Sequence, residues 1–374
     1  MAETQERNSG LATPGRGVSR RQVPRRIAAL LETSPDLALR LLELRHFARR
    51  VKASEYHITN ACNIRCQNCW FYEYGFDKTS REASADDAWH ELISRERDRG
   101  VTSALLIGGE PTLFLNRVRL FVDAMEFVTI SSNGLRLVPK EFDRVAIALT
   151  LFGGGPLDDE LRGIRPNGRR INGLFEKALA NYRNDDRATF ILALSRESSV
   201  FLDETVRRIR DNGNQVTFNF YSGYSTADPL RSTSIDDAFI EEVLAVQQRY
   251  RETVVCHPYY VRASLTGKTH WGAFGYETCP SVSISHPDHK ERVRNGNPVL
   301  PHFNSFAADA RSVNFCCTSG HCEGCRDSQA VYSWLLVSLH AFTDSRESLL
   351  NWIEIAESYW RQFVWSPFHR RASA

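Results

Sequence analysis

The chain has 374 residues, of which 42% are hydrophobic and 25% charged, a composition typical of a soluble globular protein with one large domain and an appendage. Its net charge of +2 gives no indication of a nucleic-acid or anionic-membrane partner. There is no apolar run of about 18 residues and no hydrophobic signal core near the N-terminus, so we expect neither a membrane span nor secretion.

The first 53 residues predict two segments. Residues 1–26 are polar and rich in arginine, and we interpret them as a flexible basic arm, with a transit peptide as the alternative. Residues 27–53 carry leucines at mixed helical spacing and predict a helical lead-in of one or two short helices.

Residues 54–234 alternate short apolar strands with amphipathic helices. The predicted strands are Glu55–Thr59, Val101–Ile107, Phe127–Ser131, Arg144–Leu151, Ala188–Leu194 and Gln215–Tyr221. The predicted helices between them are 85–99, 116–125, 172–184 and 201–212. This alternation implies a parallel sheet with right-handed crossovers. Six such units predict an α/β fold, a partial (β/α)6 barrel of the TIM type, whose functional site lies at the carboxyl ends of the strands.

Residues 235–374 have a different pattern. A predicted helix at 235–251 precedes a long stretch rich in loops and hairpins, and two helices near 327–341 and 345–363 close the chain. We interpret this part as a second region that follows the barrel.

The nine cysteines fall into two groups. Three form Cys62-x3-Cys66-x2-Cys69 in the loop after the first strand, and six lie between Cys256 and Cys325. Clustering at this spacing indicates metal ligands rather than core packing or a disulfide framework, and it suits a reducing cytoplasm. Three thiolates on a four-iron cluster leave one iron open. A zinc knuckle completed by a ligand from elsewhere, with His57 nearby, is the alternative.

Further motifs follow the next three strands. Gly108-Gly109-Glu110-Pro111 follows the second, Ser132-Asn133-Gly134 the third, and Thr150 with Gly153 and then Asp159-Glu-Leu-Arg162-Gly163 the fourth. Together with the three cysteines these motifs resemble the radical S-adenosylmethionine (SAM) superfamily, and the resemblance covers about residues 54–221.

The resemblance implies a role for each motif. The three cysteines would hold a [4Fe–4S] cluster whose open iron SAM chelates. Glu110 would pair with the SAM amino group, Thr150 would contact the ribose, and Arg162 would pair with the carboxylate. The SAM-binding residues implied in this way are Gly108, Gly109, Glu110, Asn133, Thr150 and Arg162.

The resemblance also implies an activity. One electron from the reduced cluster would split SAM into methionine and a 5′-deoxyadenosyl radical, which abstracts hydrogen from a substrate. Such an enzyme needs a low-potential electron donor such as flavodoxin or ferredoxin. A non-catalytic iron–sulfur or zinc protein is the competing class.

The second cysteine group resembles the twitch or SPASM regions that hold an auxiliary [4Fe–4S] cluster in many superfamily members. The implied ligands are Cys279, Cys317, Cys322 and Cys325, with Cys316 or Cys256 as alternates. A zinc site at the same four residues is the alternative.

The run from Cys316 to Trp334 is similar to radical SAM enzymes of antibiotic and other natural-product pathways that act on aminocyclitols, aminoglycosides and nucleoside sugars. It implies a small polar substrate and an oxidation, dehydration, epimerisation or decarboxylation by an oxidoreductase or lyase. A peptide maturase is the alternative. The candidate substrate contacts are Asn219, Tyr221, Tyr224, Glu73 and Tyr74.

Overall fold

The computed structural model describes residues 22–67, 69–220, 236–266, 283–286, 299–314 and 326–364. Several residues named above lie outside these ranges: Cys279, Cys316, Cys317, Cys322, Cys325, Tyr221 and Tyr224. In the part of the chain that is described, no helix is long and apolar enough to cross a membrane.

The described residues contain one sheet with the strand order β6-β5-β4-β3-β2-β1-β7-β8. Its strands are β1 (Ala53–His57), β2 (Ser103–Ile107), β3 (Phe127–Ser132), β4 (Val145–Leu151), β5 (Ala188–Leu194), β6 (Gln215–Phe220), β7 (Ser305–Phe306) and β8 (Val313–Asn314). Strands β1 to β6 are parallel neighbours in chain order, as an open barrel requires. The predicted α/β partial barrel is therefore confirmed, and the short strand β7 extends it by pairing parallel to β1.

Thirteen α-helices lie among the described residues. They are α1 (Val23–Glu32), α2 (Pro35–Arg50), α3 (Trp70–Glu73), α4 (Phe76–Thr79), α5 (Asp86–Asp98), α6 (Leu115–Ala124), α7 (Pro156–Arg162), α8 (Leu174–Asn181), α9 (Arg196–Asp211), α10 (Asp237–Arg249), α11 (Pro258–Thr266), α12 (Ser328–Val337) and α13 (Arg346–Phe363). Short 3-10 helices lie at Pro111–Leu113 and Leu339–Phe342.

Several helical segments differ from the sequence prediction, and α7 and α11 lie where it gives no helix. Helix α9 begins five residues before the predicted start at 201, because Ser195 and Ser198 form a capping box there. Helix α1 begins at Val23, inside the stretch that the sequence predicts to be a flexible arm. Residues 1–21 of that arm lie outside the described residues.

The strands place apolar residues on one face and the cavity on the other. In β3, Val128 and Ile130 are buried in the hydrophobic core, whereas Thr129 and Ser131 line the interior cavity. This is the two-residue alternation of a strand. The inner face is therefore partly polar and suited to a ligand.

The last turn of α13 enters the barrel. The Thr129 hydroxyl donates to the Phe363 carbonyl, and Gln362 is hydrogen-bonded to two residues of β6. The outer part of α13 is tied to α2 by Arg40, which donates to both carboxylate oxygens of Glu357 at 3.1 and 2.7 Å. The C-terminal helix thus contributes directly to the interior.

Candidate active site

A cavity of about 380 Å³ opens at the carboxyl ends of the parallel strands. This volume is within the range of small-molecule sites, about 300–1,000 Å³. Nine residues that the sequence marks for the cluster and SAM all line it: Cys62, Cys66, Cys69, Gly108, Gly109, Glu110, Asn133, Thr150 and Arg162. The topology brings together four motifs that are up to about 100 residues apart in the chain.

The three thiols at the cavity are free and half-buried. Burial raises the pKa of Cys62 to about 12 and that of Cys69 to about 11. Burial also raises the pKa of Cys66, although Arg162 acts in the opposite direction. These thiols are therefore protonated at neutral pH unless a metal centre displaces the protons.

The thiols are arranged around the cavity wall. Among the described residues, no three His, Cys, Asp or Glu side chains converge closely enough to hold one metal ion. In a four-iron cluster each thiolate bonds to a different iron, so the three sulfurs lie around the cluster and need not converge on one metal ion.

Backbone contacts fix the cysteine loop against the Gly-Gly-Glu turn. Gly109 N donates to Thr59 O at 2.9 Å, and Glu110 N donates to Ala61 O at 2.8 Å. A Cβ on Gly108 would lie 2.5 Å from Thr59 O, and one on Gly109 would collide with the Ala61 carbonyl. These glycines therefore allow two loops to pack against each other. The family resemblance implies a different role for them, which is binding SAM.

The other side of the cysteine loop is attached to the end of α7. Arg65 N donates to Ile164 O at 2.6 Å, and Gln67 N donates to Leu161 O at 2.7 Å. The loop is therefore held by main-chain hydrogen bonds on both sides of Cys66.

Glu110 is a buried carboxylate, 1% exposed, with four protein donors. Its Oε1 accepts from Thr112 N (3.1 Å), Thr112 Oγ1 (2.7 Å) and Ser132 Oγ (2.9 Å), and its Oε2 accepts from Asn133 N (2.8 Å). Burial raises its pKa, although the bonds from Asn133 and Thr112 act to lower it. A carboxylate oxygen can accept two hydrogen bonds. Among the contacts of the described residues Oε2 accepts one, which leaves its second position for a ligand donor.

The side chain of Asn133 connects the turn after β3 to the cysteine loop. Its Nδ2 donates to Asn63 Oδ1 at 2.7 Å, and its Oδ1 accepts from Leu135 N at 3.0 Å. Asn133 therefore has a positioning role that the sequence motif does not specify.

Arg162 and Asp158 form a buried ion pair behind Cys66. Arg162 Nη1 donates to Asp158 Oδ1 at 2.6 Å, and Asp158 also accepts from the backbone N–H groups of Phe152 and Gly154. Arg162 lines the cavity, and its Nε is buried without a hydrogen-bond partner among the described residues. A buried donor of this kind needs an acceptor, and an anionic ligand group in the cavity would supply one.

The candidate substrate contacts separate into two sets. Asn219 lines the cavity, whereas Glu73 and Tyr74 are exposed and are not part of its lining. Cys256 is 2% exposed in the hydrophobic core and is not part of the lining either.

The C-terminal helices contribute four lining residues that the sequence interpretation missed: Asp327, Ser328, Gln362 and Phe363. Asp327 lies in the run from Cys316 to Trp334 and has the signature of a helix N-cap, whose Oδ1 accepts from Ala330 N at 2.9 Å. Neither signal indicates that the residue faces the cavity.

Two curated proteins are similar to segments of this chain. A 90-residue segment is 32% identical to an S-adenosylmethionine-dependent nucleotide dehydratase of a Thermoplasmatales archaeon, covering 23% of this chain and 30% of that protein. A 108-residue segment is 34% identical to a GTP 3′,8-cyclase of Limosilactobacillus fermentum, covering 25% of this chain and 32% of that protein. The chain thus spans about a third of the length of these curated relatives.

A solved structure, native anSMEcpe with bound AdoMet, is similar at 13% identity with a TM-score of 0.41, over 54% of this chain and 60% of that one. Residues 56–152 match the description "Radical SAM superfamily". The matched segment is about a quarter of the chain, and it includes Cys62, Cys66, Cys69 and Glu110.

Proposed function

We propose that this protein is a radical SAM enzyme that cleaves SAM reductively and uses the resulting radical to abstract hydrogen from a small polar substrate. The observation that supports this most strongly is the convergence of three free thiols, one buried carboxylate and one buried guanidinium on a single cavity.

The described residues fit a [4Fe–4S] cluster with SAM. Cys62, Cys66 and Cys69 would hold three irons. When bound, the reduced cluster supplies one electron to the sulfonium of SAM, and a carbon–sulfur bond breaks to give methionine and a 5′-deoxyadenosyl radical. The family match and the three thiols both support this assignment.

The protein residues orient SAM and exclude water. The remaining acceptor position of Glu110 Oε2 suits the SAM ammonium group, and the unpaired Nε of Arg162 suits its carboxylate. Thr150 lies on the same wall at the end of β4, where it would contact the ribose. Apolar residues on the inner face, such as Leu105 and Ile191, keep water from a reactive intermediate.

The substrate that we propose is a sugar, aminocyclitol or nucleoside-like compound, and the enzyme class is an oxidoreductase or lyase. Both curated relatives are named for reactions on nucleotides, which supports a polar substrate of this size. We further propose an auxiliary [4Fe–4S] cluster at Cys279, Cys317, Cys322 and Cys325, with Cys316 as an alternate. Cys256 is left out of this set because it packs in the hydrophobic core. Flavodoxin or ferredoxin would supply the electron.

The test is the release of 5′-deoxyadenosine from SAM and dithionite by anaerobically reconstituted protein. We expect the product from wild type and none from the variants Cys62→Ala, Cys66→Ala and Cys69→Ala. Wild type loaded with zinc is the control and should be inactive. Product formation by a variant that lacks all three thiols would overturn the proposal.

Iron counting and isotope transfer test the finer parts. Two clusters require about eight irons per chain and one cluster about four. Deuterium transfer into 5′-deoxyadenosine from labelled sugars, but not from labelled peptides, would favour the small substrate over a peptide.

A further inference from the structure

The wall of the cavity opposite the cysteine loop contains a directed chain of hydrogen bonds. Thr217 Oγ1 donates to Gln362 Oε1 at 3.2 Å, and Gln362 Nε2 donates to Asn219 Oδ1 at 3.0 Å. Thr217 and Gln362 are both buried. Because Asn219 Oδ1 is taken by Gln362, Asn219 offers its amide NH2 group to the cavity as a donor.

The amide of Gln362 sets the direction of this chain. Its Nε2 donates to Asn219 Oδ1, so its Oε1 is the atom that accepts from the Thr217 hydroxyl.

Asp327 adds a carboxylate to the same wall. Its Oδ1 caps α12, yet the residue remains exposed and lines the cavity. The adjacent Arg326 guanidinium lies 5.0 Å from the centroid of the Phe220 ring, so the start of α12 contacts the end of β6 beside Asn219.

We propose that Asp327 and Asn219 recognise the substrate, and that this substrate carries a protonated amine and an oxygen acceptor. Asp327 binds the ammonium group through a charge-assisted hydrogen bond, and Asn219 Nδ2 donates to the oxygen. Gln362 and Thr217 are positioning residues that fix the amide of Asn219. This inference rests on the proposed function, because the same cavity holds the SAM-binding residues.

The experiment compares two probes that differ in one group, trans-2-aminocyclohexanol and trans-1,2-cyclohexanediol. Their affinities for anaerobically reconstituted protein with SAM are measured by calorimetry. We expect wild type to bind the amino alcohol at least about tenfold more tightly than the diol. The variant Asp327→Asn keeps the helix cap, since Asn caps as well as Asp, and it should lose the preference.

Two further variants distinguish a specific loss of substrate recognition from a general loss of folded structure. Asn219→Leu should weaken both probes by a similar factor, because both retain the oxygen. Asp309→Asn removes a carboxylate that also accepts backbone N–H bonds but is not part of the cavity lining, and it should keep the wild-type preference.

Equal binding of the two probes, an unchanged preference in Asp327→Asn, or failure of both probes to bind would overturn the inference. Formation of 5′-deoxyadenosine by the same preparation is measured in parallel. If that product forms and the amine preference is absent, only the recognition is wrong. If no product forms, the proposed function is wrong and the inference falls with it.

Discussion

The two walls of the cavity are built in different ways. On the wall that carries the cysteine loop, backbone hydrogen bonds from Gly109, Glu110, Arg65 and Gln67 connect one loop to the next. On the opposite wall, side chains make the connections, with Thr217, Gln362 and Asn219 bonded in series. The first wall depends on close backbone contact as well as on side-chain bonds such as those of Glu110 and Asn133, whereas the second depends on side chains.

This difference suits the first wall to cofactor binding and the second to substrate binding. Close backbone contacts tolerate few residue types, so they suit a cofactor whose shape does not vary. A framework of side chains can change its donors and acceptors by single substitutions. We therefore expect changes on the first wall to abolish SAM cleavage and changes on the second to alter substrate choice.

The largest effect is expected from Gly109→Ala. The added methyl group would collide with the Ala61 carbonyl and separate the cysteine loop from the Gly-Gly-Glu turn. We predict that this variant loses iron on reconstitution and releases no 5′-deoxyadenosine. Gly168→Ala is the control, since its Cβ would meet open space. Its φ of 82° adds a backbone strain that Gly109→Ala does not have, so the control is the more demanding of the two for the backbone. Equal iron contents in the two variants would contradict the prediction.

A large loss of stability is expected from Asp158→Asn. It leaves the buried Arg162 guanidinium without its ionic partner, and breaking a buried pair in this way costs about 3–5 kcal/mol. Urea unfolding of the folded protein measures the change. Glu204→Gln, which breaks an exposed pair with Arg207, should leave the free energy of unfolding nearly unchanged. If both variants unfold at the wild-type urea concentration, the Asp158–Arg162 pair does not support the cavity.

A smaller effect is expected on the opposite wall from Thr217→Val. Loss of one hydroxyl releases Gln362 and lets the amide of Asn219 reorient, which should weaken binding of the amino alcohol roughly threefold to tenfold. SAM cleavage without substrate should be unchanged. Thr253→Val, a buried substitution at a residue outside the cavity lining, is the control and should bind like wild type. If Thr217→Val binds the amino alcohol as tightly as wild type does, Thr217 does not orient the Asn219 amide.

The sequence predicts the first wall far better than the second. Strands β1 to β6 lie within two residues of their predicted bounds, because apolar runs between Gly- and Asn-rich turns specify both type and position. The motifs at the ends of β1 to β4 are also visible in the sequence, because close backbone contact requires glycine and metal binding requires cysteine.

The second wall leaves no comparable pattern. Gln362 lies in the last turn of an ordinary amphipathic helix, and only tertiary packing brings it beside Asn219, 143 residues away. Asp327 has the sequence signature of a helix cap whether or not it faces a cavity. Polar residues of this kind become recognisable as a site only when the chain has folded.

The most direct test of the account is Mössbauer spectroscopy of protein reconstituted with 57Fe. The protein carries alanine at the five cysteines that could bind an auxiliary cluster, which are Cys279, Cys316, Cys317, Cys322 and Cys325. We predict about four irons per chain in one cubane, with a single iron whose signal changes when SAM is added. A chain that retains no iron, or a spectrum that SAM leaves unchanged, would contradict the assignment of an open iron to Cys62, Cys66 and Cys69.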